Sequence, residues 1–263
     1  MTVTNTDDHV HYTEQFTKWC ELDFGESFLS PGGSGEVANI LEGIDLTGKE
    51  VLDIGVGLAG PACVLVEKLG AARVIGIDVE EPVLKRAATA VQSRGLSDRV
   101  ILKRVDPGPL PFKNESFDVV FSKDAIIHIP DTEALFREIH RVLRPGGWAA
   151  LSDWYCSDEP FTDAMSAWVK RLDLGLAMKP LETDRARFLT AGFVDVQTLD
   201  RNAWFHEYCK ELERRVRGPK YETYVAVLGE KEVRDGLIAY EQLVTITSQG
   251  QLRPAHLRGR KAA

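Results

Sequence analysis

Closely spaced cysteines are absent from this chain of 263 residues. Its four cysteines are Cys20, Cys63, Cys156 and Cys209, and none stands at CxxC or CxxH spacing. The absence of such spacing argues against a zinc site and against a disulfide framework. We therefore expect no bound metal and a reducing, cytoplasmic location.

Long apolar runs and an excess of positive charge are also absent. No run approaches the ~20 residues of a membrane span, and the polar start MTVTNTDDHV does not resemble a targeting peptide. The formal net charge is -8, from 32 Lys and Arg against 40 Asp and Glu, which argues against nucleic acid as a partner. We expect a soluble monomer or homodimer that acts on a small molecule, without a membrane partner.

Short apolar segments alternate with helical ones from residue 50 onwards. Strands are predicted at 50–56, 73–79, 100–106, 117–124 and 147–155, with a later one in VDVQTLDR. Helical spacing between them, as in TEALFREIHRVL, implies right-handed crossovers and a parallel sheet covered on both faces. The predicted fold class is α/β.

Helical patterns flank this core on both sides. Helices are predicted within residues 11–45 around the loop FLSPGGSGE, in a lid DEPFTDAMSAWVKRLDLGLAM, and from RNAWFHEYCKELERRVR to about residue 249. The segment QLRPAHLRGR suits a last edge strand, although its Pro254 argues against one. No linker divides the chain. We predict one domain over 1–263, with an N-terminal helical cap (1–45), a cofactor-binding core (46–202) and C-terminal helices with an edge strand (203–263).

The segment GVGLAG follows the first predicted strand and opens a helix. Glycines there permit a tight turn and let the backbone approach a ligand closely. Dinucleotide-binding and S-adenosylmethionine-binding folds share this G-x-G-x-x-G pattern, and a purely structural turn is a third interpretation. Gly55, Gly57 and Gly60 are the candidate cofactor-binding residues of this loop.

Carboxylates stand at the ends of three successive predicted strands. Asp53 suits the cationic amino group of S-adenosylmethionine and would repel a pyrophosphate. Asp78 suits two ribose hydroxyls, and Asp106 suits the adenine amino group. Helix capping explains any one of them, but three together favour S-adenosylmethionine.

Ionisable groups also end the fourth predicted strand, in FDVVFSKDAIIHIPD. Lys123 and Asp124 follow an apolar run, and His128 comes one helical turn later. Open parallel sheets bind ligands at the carboxyl ends of their strands, which places Asp124 and His128 in a pocket. Two simpler explanations stay open: Asp124 caps the AIIHI turn, and His128 is a half-exposed loop residue.

The segments VLDIGVGLAG, VIGIDV, DPGPLPFKNESFDVVFS and LRPGG resemble the motif series of class I S-adenosylmethionine-dependent methyltransferases. The resemblance covers roughly residues 35–200. It implies a Rossmann-like seven-stranded sheet with one antiparallel edge strand, S-adenosyl-L-methionine as cofactor and S-adenosyl-L-homocysteine as product.

The segments HYTEQFTKWCELDFGESFLSPGG and SKDAIIHI resemble the phosphoethanolamine N-methyltransferases. This resemblance implies that Tyr12 and His128 are a catalytic pair with Asp124 beside them. Without the resemblance, Tyr12 is more simply a packed aromatic residue. The implied cofactor shell comprises Leu29, Ser30, Gly55, Asp78, Val79, Asp106, Pro107 and Lys123, the last standing where the family usually has arginine.

The chain departs from that family where the substrate phosphate is held. An ungapped alignment puts Trp168, Leu172 and Leu174 where the family has tyrosine, arginine and tyrosine, and no obvious lysine lies near Gln242. Loss of a guanidinium is not conservative at a phosphate site, although Arg171 is a candidate substitute.

Aromatic residues suggest a different substrate pocket. Indole rings suit a methylated ammonium or a flat ring, whereas ordinary packing in the lid and core explains the same tryptophans. The candidate substrate-binding residues are His11, Trp154, Tyr155, Trp168, Arg171 and Trp204.

These features predict a methyltransferase that acts on a small molecule, most simply at an amine nitrogen. Three alternatives stay open: methylation of oxygen or carbon in an apolar or aromatic metabolite, an NAD-dependent oxidoreductase that uses GVGLAG, and a cofactor-binding sensor without catalysis. The oxidoreductase lacks a Tyr-x-x-x-Lys pair, and Asp53 is awkward for it.

Overall fold

A seven-stranded sheet forms the centre of the protein, as shown by a computed structural model that describes residues 12–172 and 174–263. The strands are β1 (Glu50–Ile54), β2 (Arg73–Asp78), β3 (Val100–Arg104), β4 (Phe117–Lys123), β5 (Leu143–Cys156), β6 (Phe193–Asp200) and β7 (Leu252–Lys261). Their order across the sheet is β3-β2-β1-β4-β5-β7-β6. Strands β1 to β5 run parallel, and β7 runs antiparallel to both of its neighbours. The predicted α/β class is confirmed.

Helices cover both faces of this sheet and cap its carboxyl edge. They are α1 (Glu14–Phe24), α2 (Gly33–Ile40), α3 (Gly60–Glu67), α4 (Glu81–Ser93), α5 (Thr132–Val142), α6 (Asp163–Leu172), α7 (Leu181–Thr190), α8 (Asn202–Arg217), α9 (Tyr221–Leu228) and α10 (Glu230–Ser248). Within the described ranges, none of these helices combines the length and apolar character needed to cross a membrane.

Two hydrophobic cores lie on opposite faces of the sheet. Val51 and Leu52 are adjacent in β1, and successive residues of a strand point to opposite faces. Val51 packs into the core that includes α2, α3 and α4, whereas Leu52 packs into the core that includes α5 and α7. Both side chains are fully buried, so burial on both faces explains the continuous apolar runs of the sequence.

The last strand is not the edge strand that was predicted. β7 lies between β5 and β6, which makes β3 and β6 the edges of the sheet. Pro254 pairs with Trp154 of β5 but lies just beyond the last β6 pair, Asp200 with Ala255. Because Pro254 lies beyond the pairing with β6, its missing N–H costs the β6 ladder no hydrogen bond. The carbonyl of Pro254 accepts the N–H of Arg201 at 2.7 Å.

A buried carboxylate ties α1 to the C-terminal helices. Asp23 of α1 accepts hydrogen bonds from the hydroxyl of Tyr224 at 2.7 Å, from the hydroxyl of Tyr240, and from Nε1 of Trp19 at 3.0 Å. Arg215 lies 3.9 Å away. Burial outweighs these contacts and raises the pKa of Asp23 to about 6. This network holds the cap helix in place over the carboxyl edge.

Candidate active site

Tyr12 and His128 meet at the carboxyl edge of the sheet. Tyr12 immediately precedes Thr13, the N-cap of α1, and His128 ends the 3₁₀ turn after β4. The phenol oxygen lies 3.1 Å from Nε2 of His128, and Nδ1 lies 3.1 Å from the carbonyl oxygen of Leu174. Because a carbonyl only accepts, Nδ1 carries the ring proton and Nε2 accepts from the phenol. The predicted pair is thus in contact, with its direction of donation set by Leu174.

The surroundings of Tyr12 keep its phenol protonated. Burial raises the pKa of Tyr12 well above its usual value near 10, and neighbouring acidic groups, Cys20 and the carboxylates of Asp78, Glu80 and Asp153, raise it further. The phenol is therefore neutral at neutral pH. It can take up a proton only while passing its own proton to His128.

A second buried carboxylate fixes the turn that carries His128. Asp153 of β5 accepts the N–H of Ile127 at 2.7 Å and the N–H of Trp154 at 2.7 Å. Burial, with a further contribution from the charge of Asp124, raises the pKa of Asp153 well above its usual range. The sequence-based prediction missed this residue, although its place at the carboxyl end of a strand, in SDWY, was a usable signal.

Asp124 is aimed at the site and does not cap the turn. Its φ is +54°, and its N–H bonds to the carbonyl of Ser152 at 2.8 Å. The carboxylate lies 2.6 Å from Nζ of Lys123 and 3.3 Å from Oγ of Ser152. Because Asp153 takes the capping bond instead, the interpretation of Asp124 as a cap is not needed.

The glycine loop forms a cradle that side chains would fill. Gly55 has φ +73°, and a Cβ there would lie 2.2 Å from Cβ of Ala125. Gly57 has φ +53°, and a Cβ there would lie 3.1 Å from Leu29. The N–H of Gly57 donates to Asp78 at 3.0 Å, so the carboxylate at the end of β2 supports the loop.

The segment before α2 closes over this loop. Gly60 donates its N–H to the carbonyl of Ser27 at 3.0 Å. Ser30 accepts a hydrogen bond from Nζ of Lys123 at 2.7 Å. The structure therefore brings Leu29, Ser30 and Lys123 to the glycine cradle, where the resemblance places them.

Asp53 carries an orphaned oxygen near the carboxyl end of β1. The residue is 2% exposed, and among the described residues its Oδ2 has no hydrogen-bond partner. Burial, aided by the charge of Asp78, raises the pKa of Asp53 to about 8. An unpartnered buried acceptor is costly, so this position fits a ligand that brings an ammonium group.

Three residues of the predicted cofactor shell, Val79, Asp106 and Pro107, lie at an exposed rim. Asp106 pairs with Arg104 at 2.9 Å, and its side chain is 79% exposed. Val79 is 47% exposed, and Pro107 is also exposed. Their contacts with an adenine stay predictions.

A small recess opens beside Asp124. Its lining residues are Pro31, Glu36, Lys123, Asp124, Ser152, Trp154, Arg201, Trp204, Phe205 and Pro254. The ring of Trp204 lies under the guanidinium of Arg201, at 4.6 Å, and Trp154 stacks on Trp168 at 5.6 Å. Two of the predicted tryptophans, Trp154 and Trp204, thus form its walls.

Three other predicted substrate residues, Tyr155, Trp168 and Arg171, are not brought to this recess. Trp168 is 1% exposed and belongs to a hydrophobic core with Met165 and Phe205, so packing explains it. Tyr155 is buried on the face of β5 opposite to Trp154, because adjacent strand residues alternate. Arg171 is exposed and donates to Gln242 at 2.9 Å. His11 lies outside the described residues.

Two charged residues of the recess had escaped prediction. Arg201 donates to both oxygens of Glu36, at 2.9 Å and 2.7 Å, and His256 contacts the same carboxylate at 2.7 Å. Burial alone would raise the pKa of Glu36, but hydrogen bonds from His256, Arg201 and Asn39 lower it to about 2. The position of Glu36 on the apolar face of EVANI was the available signal, whereas nothing local marked Arg201.

Comparison with known families identifies the core. A family model described as methyltransferase domain matches residues 52–151, which hold the end of β1, the glycine cradle, Asp124 and His128. Residues 52–151 are thus similar to a methyltransferase domain. S-adenosylmethionine is the cofactor of this family, and the orphaned oxygen of Asp53 and the glycine cradle fit it. The oxidoreductase alternative is set aside.

Curated relatives of the chain are named for methyl transfer to different atoms. The chain is 30% identical over 229 residues to phosphoethanolamine N-methyltransferase 1 of Arabidopsis thaliana, covering 87% of this chain and 45% of that protein. It is 33% identical over 172 residues to a sterol 24-C-methyltransferase of Gibberella zeae, covering 65% of this chain and 45% of that protein. The chain spans about half the length of the curated relatives it matches.

A solved structure shares nearly the whole fold. The chain matches phosphoethanolamine N-methyltransferase 2 of Haemonchus contortus, solved with phosphomonomethylethanolamine and S-adenosylhomocysteine, at a TM-score of 0.90 and 27% identity. The match covers 97% of this chain and 60% of that chain. The seven-stranded class I methyltransferase fold is thereby confirmed.

Proposed function

We propose that this methyltransferase transfers the methyl group of S-adenosylmethionine to an amine nitrogen of a small molecule. The observation that carries the proposal is the 3.1 Å contact between the phenol of Tyr12 and Nε2 of His128, at the edge of the sheet that also presents Asp53. When bound, S-adenosylmethionine supplies an electrophilic methyl group on a positively charged sulfur.

Two carboxylates, those of Asp53 and Asp124, would bind the two cationic groups of the cofactor and the acceptor. Asp53 would hold the amino group of the cofactor, and the cradle of Gly55 and Gly57 admits it close to the backbone. Asp124 would hold the ammonium of the acceptor. Its two oxygens have lone pairs beyond those used by Lys123 and Ser152.

An ammonium must lose a proton before its nitrogen has a lone pair to offer. Tyr12 accepts that proton on its phenol oxygen while its own proton moves to Nε2 of His128, which leaves a neutral amine and an imidazolium. The imidazolium keeps its Nδ1 hydrogen bond to Leu174.

Methylation of oxygen or carbon is the second candidate, and one observation favours it. Leu172 and Trp168 pack with Met165 in an apolar cluster, at positions aligned with those where the phosphoethanolamine N-methyltransferases hold the substrate phosphate. A site of that character also suits acceptors without an ammonium group. The similarity to a sterol C-methyltransferase supports the same alternative.

The two candidates differ in the atom that receives the methyl group. Purified protein is incubated with S-adenosylmethionine and with matched amines and phenols, and the products are identified by mass spectrometry. We expect N-methyl products whose formation is lost in Tyr12→Phe and His128→Ala. O- or C-methyl products alone would reject amine methylation. Cofactor binding without turnover of any acceptor would favour the sensor alternative.

A further inference from the structure

Positive charge in the recess is already neutralised. Among the described residues that line it, the two cations are Lys123 and Arg201. Lys123 has a side chain that is 2% exposed and lies 2.6 Å from the carboxylate of Asp124. Arg201 is held by both oxygens of Glu36. The lining thus carries two positive and two negative charges, which cancel.

Basic residues of the lid do not change this balance. Lys170 and Arg171 of α6 are exposed, and Arg171 donates to Gln242. Lys179, in the segment after α6, lies 3.8 Å from Asp184. In the part of the lid that the structure describes, each of these cations is either exposed to solvent or paired with a carboxylate.

A phosphate dianion would be costly in such a recess. Its charge would leave water without gaining an unpaired cation, and uncompensated burial of charge is strongly unfavourable. An ammonium still finds partners there, because Asp124 has lone pairs beyond those used by Lys123 and Ser152, and the indole faces of Trp154 and Trp204 attract a cation. The recess therefore selects for positive charge and against negative charge.

The walls of the recess select for an apolar body. Trp154, Trp204 and Phe205 contribute aromatic surface, with Phe205 only 2% exposed. As it stands, the recess has room for about one water molecule. Binding of an acceptor therefore requires part of the lining to move, and contact with the remaining aromatic walls rewards apolar or aromatic surface.

We infer that the methyl acceptor is an amine that carries no phosphate or other anionic group. Its ammonium pairs with Asp124, and its apolar or aromatic body lies against Trp154 and Trp204. The inference rests on the proposed amine methylation, and it separates this chain from the relatives named for phosphoethanolamine.

Two pairs of probes test separately how a phosphate group and a phenyl ring on the amine affect its binding. Binding to the full chain saturated with S-adenosylhomocysteine is measured by calorimetry for ethanolamine against phosphoethanolamine, and for ethylamine against 2-phenylethylamine. We expect the phosphate to weaken binding by about tenfold or more, and the phenyl ring to strengthen it by about tenfold. Tighter binding of phosphoethanolamine than of ethanolamine, or no gain from the ring, would overturn the inference.

Turnover is measured in parallel with S-adenosylmethionine. If the expected order of affinities holds while none of the four probes is methylated, amine methylation fails but the selectivity of the recess stands. If phosphoethanolamine is methylated more efficiently than ethanolamine, amine methylation stands and the inference about charge fails.

Two variants connect the selectivity to named residues. Glu36→Gln leaves the charge of Arg201 unneutralised, so the affinity ratio should shift toward phosphoethanolamine by about tenfold, whereas Glu42→Gln removes an exposed charge and should leave the ratio unchanged. Trp204→Leu keeps an apolar wall without the ring, so it should lose most of the gain from phenyl. An unchanged ratio in Glu36→Gln together with an unchanged phenyl gain in Trp204→Leu would reject the assignment.

Discussion

The phenol oxygen of Tyr12 lies 3.1 Å from Nε2 of His128, although 116 residues separate the two along the chain. Different devices position the two side chains. Tyr12 depends on α1, which Asp23 ties to the C-terminal helices, and His128 depends on a turn held by Asp153. The candidate chemistry thus relies on buried carboxylates that never touch the acceptor.

Replacement of His128 should affect turnover far more than cofactor binding. In His128→Ala the phenol of Tyr12 loses its proton acceptor, so we expect kcat to fall by about a hundredfold or more. The Kd for S-adenosylmethionine, measured by calorimetry, should not change. His206→Ala is the control, because His206 bonds to Thr247 instead. Equal losses in kcat and in cofactor affinity would contradict the assigned role.

Cofactor affinity should depend on pH through Asp53. Burial raises the pKa of Asp53 to about 8, so below pH 8 the free protein holds a proton that the cofactor's ammonium must expel. We expect the Kd to rise by up to about tenfold per pH unit as the pH falls below 8. Asp53→Asn should bind weakly with a flat profile, and the exposed Asp98→Asn should behave like the unmodified protein. A flat profile in the unmodified protein would refute the prediction.

Two glycines share a left-handed backbone conformation but differ in the space around them. Alanine variants at these positions therefore distinguish backbone strain from steric collision. Gly55 and Gly48 have φ of +73° and +71°, but only at Gly55 would a Cβ meet a neighbour, Ala125 at 2.2 Å. In both Gly48→Ala and Gly55→Ala, strain from the left-handed conformation should lower the free energy of unfolding by about 1 kcal/mol. Only Gly55→Ala should also weaken S-adenosylmethionine binding. Thermal melts with and without cofactor measure both effects, and equal cofactor binding in the two variants would argue against the cradle.

Stability should decrease as the pH rises past the pKa of Asp23. Burial raises this pKa from 3.8 to about 6, so the folded state favours the protonated carboxyl. Between pH 5 and pH 7.5, the free energy of unfolding of the unmodified protein should fall by about 1.5 kcal/mol relative to that of Asp23→Asn. Urea denaturation of both proteins at the two pH values gives this difference. A difference of zero or of opposite sign would show that the carboxylate is better stabilised than its burial suggests.

Local sequence patterns predicted the elements that follow local rules. The parallel strands β1 to β4 begin at the residues predicted for them, because apolar runs bounded by glycine or charge mark a buried strand. β5 begins four residues earlier than predicted, at Leu143, since Pro145 and Gly146 interrupt the apolar pattern there. The pairing of Tyr12 with His128 came from a family resemblance and not from spacing.

Long-range pairing was beyond the reach of local patterns. Glu36 contacts His256 across 220 residues of chain, and neither residue stands in a motif. The internal position of β7 depends on which strands pair with it, and local sequence does not give that pairing. Pro254 instead favoured an edge position for this strand. Trp168 and Trp204 looked equivalent in sequence, but only the folded packing buries the first and leaves the second at the recess.

The internal position of β7 also has a consequence for the order of assembly. Among the described residues β6 has one ladder partner, β7, and the helices α8, α9 and α10 are synthesised between the two strands. During translation β6 must wait without a hydrogen-bonded neighbour, a non-local closure that is slow and exposes a template for aggregation. A nascent chain halted before residue 252 should therefore carry a five-stranded sheet and a loose sixth strand, a natural target for chaperones.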